Sequence, residues 1–195
     1  MTNSSNVEPW RMLRNLVLIY VAMGYILFYF AILFSVAGWC RALVEYFSAS
    51  ISALNNASRV SIRNGDDPFP SQIVILYCAF GSIALIIGCI RAWVFNKAAL
   101  QASLSSYRAI KSTERPSRFR IFIAGFVALF GAALGWYALF FLNTKSNTVS
   151  WRDAAFFSSS LPSVTFLMAC SVMFATCVSA AIVAFYIALS KHPQN

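Results

Sequence analysis

Apolar residues run along this chain in four long blocks without a charged side chain: Asn15 to Cys40, Pro68 to Ile90, Ile121 to Asn143 and Ala154 to Ser190. A helix needs about 20 mostly apolar residues to cross the hydrocarbon core of a bilayer, and each block supplies them. The pattern predicts spans over residues 16–39, 72–95, 121–142 and 161–189. The expected fold class is an all-α integral membrane protein, a bundle of four transmembrane helices. Spans and connections fill residues 1–195 as a single membrane domain. The first block is about twice as long as a signal-peptide core and reads as a retained span.

Two of the connections keep a helical pattern. Leu43, Phe47, Ile51 and Leu54 recur at steps of four, four and three, which is one face of a helix. That predicts an outward continuation of span one or a short helix along the interface. Turn formers from Asn64 to Pro70 end it. After span two, Leu100, Leu104, Tyr107 and Ile110 keep helical spacing while Lys97, Arg108 and Lys111 fall between them. An amphipathic extension to Lys111 is expected there.

Within the spans the pattern is one of side-chain size. Span three contains Gly131-Ala132-Ala133-Leu134-Gly135, and Ala124, Ala128, Gly131 and Gly135 form a longer row of small residues. Small side chains let two helix backbones approach closely, and dispersion and weak hydrogen bonds then hold them. Span four carries Ser171, Ala175 and Ser179 in a second row. These are the expected helix-packing positions. Ser160 is placed to cap span four, and Pro162 falls in its first turn, where the missing N–H is not needed. The span is longer than a crossing requires and must tilt or protrude. No inverted repeat relates the first two spans to the last two.

Charge orients the bundle. The net charge is +9, but its distribution argues for topology and against nucleic acid. One side carries Arg11, Arg14, Arg91, Lys97, Arg108, Lys111, Arg115, Arg118, Arg120 and Lys191 against Glu8 and Glu114. The other carries Arg41, Arg59, Arg63, Lys145 and Arg152 against Glu45, Asp66, Asp67 and Asp153. Lysine and arginine concentrate on cytoplasmic loops, so both termini and the 91–120 loop are expected inside. Arg108, Lys111, Arg115, Arg118 and Arg120 form a basic surface for anionic lipid or a partner. Trp10, Arg11, Arg14, Trp93 and Trp151 are interfacial anchors, and Arg152-Asp153 beside Trp151 suggests a local ion pair.

Candidate chemistry is sparse. Intramembrane ionisable residues usually mark function, and no Asp, Glu, Lys or His falls in the middle of a span. His192 is the single histidine, so this chain alone cannot supply paired axial haem ligands. Cys40, Cys78, Cys89, Cys170 and Cys177 lie in or at the edge of spans and read as small apolar residues. No cluster has metal-ligand spacing, and no nucleophile motif, P-loop or HExxH is present. Glu45 and Asp153 are the acids nearest the outer span ends. Asn56-Ala57-Ser58 is a glycosylation sequon on the expected outer side. No catalytic, cofactor or metal residue is expected; bound lipids are.

The expected function is a non-catalytic accessory subunit of a larger membrane complex, with other membrane subunits as partners and a hetero-oligomer favoured. The alternative is a pore-forming or carrier subunit of a homo-oligomer. Ser163, Thr165, Ser171, Thr176 and Ser179 are the hydroxyls that could line such a path.

Overall fold

The computed structural model of the chain describes residues 9–33, 38–94, 97–110, 116–141 and 151–190. Those residues form helices and turns, without a strand among them. In chain order the helices are α1 (Pro9–Leu33), α2 (Gly38–Ser48), α3 (Ser52–Asn64), α4 (Phe69–Val94), α5 (Lys97–Ala109), α6 (Arg118–Phe140), α7 (Trp151–Phe157) and α8 (Leu161–Leu189). Four of them, α1, α4, α6 and α8, are long and apolar enough to cross a membrane. This fits a multi-pass membrane protein.

The long helices pack as a series of pairs: α1 against α4, α4 against α8, and α8 against α6. They do not close into a ring, and α6 stands at one end of the series. Glycines set two of the seams. A Cβ on Gly81 would lie 3.0 Å from the ring of Tyr20, and that ring stacks on Tyr77 at 4.9 Å. The Tyr77 hydroxyl donates to the Tyr20 carbonyl at 2.7 Å, tying α4 to α1. At the α6–α8 seam a Cβ on Gly125 would meet Ala184 Cβ at 3.2 Å and the Ala181 carbonyl at 3.3 Å. Backbone thus approaches backbone there, as small residues permit in apolar surroundings. Trp136 of α6 reaches past this pair and donates from Nε1 to Ser82 Oγ of α4 at 3.1 Å.

The seams fix the directions of the helices. Gly88 lies near Leu16, while Phe69 clusters with Ala31, so α1 and α4 are antiparallel. Gly125 faces Ala181 and Gly135 faces Phe174, so α6 and α8 are antiparallel as well. The first residues of α1 and α6 and the last residues of α4 and α8 therefore share one end of the bundle, and α5 joins them there through contacts with α4 and α8.

The opposite end carries a cap of α2, α3 and α7. The chain after span one forms two helices where one was expected. Ile51 is extended, with φ −107° and ψ 95°, so Leu43 and Phe47 belong to α2 and Leu54 to α3. The inward position of α2 is Val44, and Leu43 is exposed. α3 is polar in sequence yet buries Ala53, Leu54, Ala57 and Val60, a spacing that gives one apolar stripe. It packs on α4 and α7, and its core includes Phe140, Phe157, Val164 and Leu167. Gly65 ends α3 with φ +75°, donating to the Ser61 carbonyl; only glycine adopts that left-handed cap without strain.

Boundaries shift in three spans. α1 covers Pro9–Leu33 rather than residues 16–39, and Gly38 and Trp39 open α2 instead. α4 begins at Phe69 rather than at residue 72, with Asp67 Oδ1 accepting from the Phe69 N–H at 3.0 Å. α6 begins at Arg118 rather than at residue 121, capped by Ser117 Oγ, which accepts from the Arg120 N–H at 3.3 Å. α7 is a short helix that the sequence pattern did not announce. α8 occupies the expected residues, but the Ser160 side chain makes no capping hydrogen bond; it bonds Ser158 and Ser163 instead.

Candidate functional site

The small-residue row of α6 divides between two faces. Gly135 points at α8, where a Cβ would lie 2.9 Å from the Phe174 ring. Ala128 is half-buried. Ala124 is exposed, and Gly131 has nothing within 4 Å of where its Cβ would stand. With Val127 and Leu134, at steps of three, four and three, Ala124 and Gly131 line one outward stripe. Phe126 and Phe130 flank it with rings 6.3 Å apart. In α8, Ser171, Ala175 and Ser179 are all buried. The glycines that meet close neighbours include Gly24, Gly81 and Gly125, which the row of expected positions does not contain. Gly125 with Ala132, seven residues on and also buried, is the spacing that could have pointed to the inner face.

Hydroxyls in α8 turn mostly to their own helix. Thr165 donates to Leu161 O, Ser171 to Leu167 O, Thr176 to Met173 O and Ser179 to Ala175 O, at 2.8–3.0 Å. Ser163 lies among Ser158, Ser160 and the Ala154 carbonyl. Thr165 also meets the Tyr25 hydroxyl of α1 at 2.7 Å.

Arg108, Arg118 and Arg120 are exposed at the end of the bundle that holds α5. Arg11 and Arg14 are exposed in the first turns of α1 at the same end. Lys111 and Arg115 lie outside the described residues. So do the side chains of Trp10, Trp93, Trp151 and Arg152, and with them the expected ion pair of Arg152 with Asp153. Asp153 itself is buried in α7. The sequon asparagine is buried as well: Asn56 is 2% exposed within α3, and its side-chain oxygen accepts from Arg59. A glycan at Asn56 is incompatible with this packing.

At the capped end, α2, α3 and the start of α4 enclose a cleft of about 330 Å³. Arg41 and Glu45 come from α2, Asn55 and Ser58 from α3, and Asp67, Phe69 and Gln72 from the α3–α4 turn and the first turn of α4. The Arg41 guanidinium lies 5.5 Å over the Phe69 ring, and its Nη2 is 3.9 Å from Asp67 Oδ2. At the base, Gln72 is 8% exposed. Its Nε2 donates to Leu54 O at 3.2 Å and to Ser58 Oγ at 2.8 Å. Asn55 Nδ2 donates to Ser48 O at 2.9 Å and so holds the end of α2 to α3. The cleft collects residues from three helices; Arg41, Glu45 and Asp67 were visible in the sequence as outer-side charges, and Gln72 was not. A second, apolar cavity of about 160 Å³ lies between α6, α7 and α8, beside Gly135, Phe156, Cys170 and Phe174.

Comparison of the chain with protein-family models, with curated proteins and with solved structures finds no match.

Proposed function

We propose that this chain is a non-catalytic subunit of a larger membrane assembly, joined to different membrane subunits through the outward stripe of α6. The observation that carries this reading is the uncovered Gly131. Glycine costs a helix about 1 kcal/mol relative to alanine, and a surface facing lipid gains nothing from a notch down to the backbone. A helix from another chain does gain, because close approach strengthens dispersion. Among the described residues nothing fills the notch, and α6 ends the series of packed helices. The basic end, with Arg108, Arg118 and Arg120 exposed, faces the cytoplasm in this reading and rests on anionic headgroups.

The reading leaves the chemistry to the partner, since no Asp, Glu, Lys or His falls in the middle of a span. The pore reading draws less support: the hydroxyls that would line a path are mostly engaged with carbonyls of their own helix. The test is gentle solubilisation of the tagged chain from its native membrane, with native mass and identification of co-purifying chains. A stoichiometric set of different subunits is the expected result. A closed ring of identical copies would replace the subunit reading with the pore, and a lone monomer would remove both.

A further inference from the structure

We infer that the cleft between α2, α3 and α4 binds the primary ammonium of an amine-bearing lipid headgroup, with Glu45, Gln72 and Asp67 as acceptors and Arg41 against the adjoining phosphodiester. The inference starts from what is left over at the base of the cleft. Gln72 is more than nine-tenths buried. Its Nε2 donates to the Leu54 carbonyl, which can only accept, so the orientation of the amide is fixed. The atom left for the cleft is therefore the oxygen Oε1, an acceptor. Gln72 lines the cleft, and an amide oxygen there can accept a ligand N–H.

The rim agrees in sign. Glu45 and Asp67 outnumber Arg41 among the charged lining residues. Glu45 is exposed on α2 and enters no ion pair among the described residues. Asp67 already receives the Phe69 N–H on Oδ1, and Oδ2 stands at a loose 3.9 Å from Arg41. Hydroxyl donors nearby are spent on backbone: Ser48 on Glu45 O at 2.7 Å and Ser58 on Leu54 O at 3.3 Å. What faces the ligand is a set of acceptors with net negative charge. A primary ammonium offers three N–H donors. A quaternary ammonium offers none, so the site distinguishes the two by hydrogen bonding. Arg41 adds a planar fork suited to a phosphodiester oxygen pair.

Position selects the source. The cleft lies at the first turn of α4, one of the helices long enough to cross a membrane. Trp39, Leu43 and Tyr46 are exposed along α2 at steps of four and three, an apolar and aromatic stripe of the kind that sits at headgroup depth. The volume of about 330 Å³ is at the small end of ligand pockets, which run from about 300 to 1,000 Å³, and suits a headgroup whose acyl chains remain outside. The inference is independent of the subunit reading and holds for a chain acting alone.

The experiment is native mass spectrometry of the full chain, delipidated in mild detergent and titrated with phosphatidylethanolamine, phosphatidylcholine of the same acyl chains, or free phosphoethanolamine. The expected result is binding of phosphatidylethanolamine about tenfold tighter than phosphatidylcholine. Glu45→Gln weakens both lipids by removing the shared charge attraction and erases the preference, because only the primary ammonium also loses a hydrogen bond. Glu45 is exposed, so this variant keeps the fold; Gln72→Leu is the second variant, and its loss of preference is informative where circular dichroism shows native helix content. Equal binding of the two lipids, or a preference that survives Glu45→Gln, would overturn the inference. Free phosphoethanolamine binding as tightly as the lipid would overturn the lipid source.

Discussion

The two faces of α6 carry the same kind of residue in opposite circumstances. On one, Gly125 lies against the backbone of α8, with the Ala181 carbonyl 3.3 Å from where a Cβ would stand. On the other, Gly131 meets nothing within 4 Å. A glycine in an apolar helix has no fixed meaning of its own. Its consequence comes from what lies across from it, and two glycines six residues apart point in different directions. One is used to build the fold. The other stays uncovered by the described residues.

That contrast orders the substitutions. Gly125→Leu drives a side chain into backbone that cannot rotate away, so the expected loss is about 3 kcal/mol or more, read as a collapse of the thermal unfolding midpoint in mild detergent. Gly135→Leu meets the Phe174 ring, a side chain that can be removed. Its cost of about 1–3 kcal/mol is expected to be partly rescued by Phe174→Ala, with a coupling of at least about 0.5 kcal/mol in a double-mutant cycle. Additive losses would show that the two do not meet. Ser82→Ala deletes the bond from Trp136 with little change of volume, and a loss of about 0.6–1.7 kcal/mol follows from the strength of interhelical hydrogen bonds in membranes. Trp136→Phe deletes the same bond and also shrinks a packed ring, so it costs more, and Ser82→Ala in that background should add nothing further. Gly131→Leu comes last, changing the stability of the isolated chain by less than about 0.5 kcal/mol. A large loss there would erase the distinction between the two faces.

The long helices were legible because uncharged length is a strong signal, and α8 runs over the residues its apolar pattern marks. Their starts were less so. Arg118 and Arg120 belong to the first turn of α6, where basic side chains extend away from the apolar region, so an uncharged run begins a turn late. Phe69 opens α4 because Pro70 is tolerated in a first turn. Residues apolar all round give no amphipathic stripe, so the inward face of α6 was not legible, whereas in α8 the small row Ser171, Ala175 and Ser179 lies on a buried face. The row Ala124, Ala128, Gly131 and Gly135 joins residues that the fold separates, and Gly125, which meets the α8 backbone at Ala181, does not belong to it.

The cleft was hidden for a different reason. Arg41, Glu45, Asp67 and Gln72 are scattered over two helices and a turn, and the extended residue Ile51 lets α3 fold back toward α2. A single polar residue at the edge of an apolar run, Gln72, carries no periodic signal. Its importance appears only once Leu54 and Ser58 hold its nitrogen.

The most direct test of the central claim compares wild type with Gly131→Leu in native membranes: equal expression, gentle solubilisation, and quantification of co-purifying subunits per copy of the chain. The variant is expected to keep its helix content and unfolding midpoint while its partners are lost. Partners retained at wild-type stoichiometry, with the leucine accommodated, would contradict it.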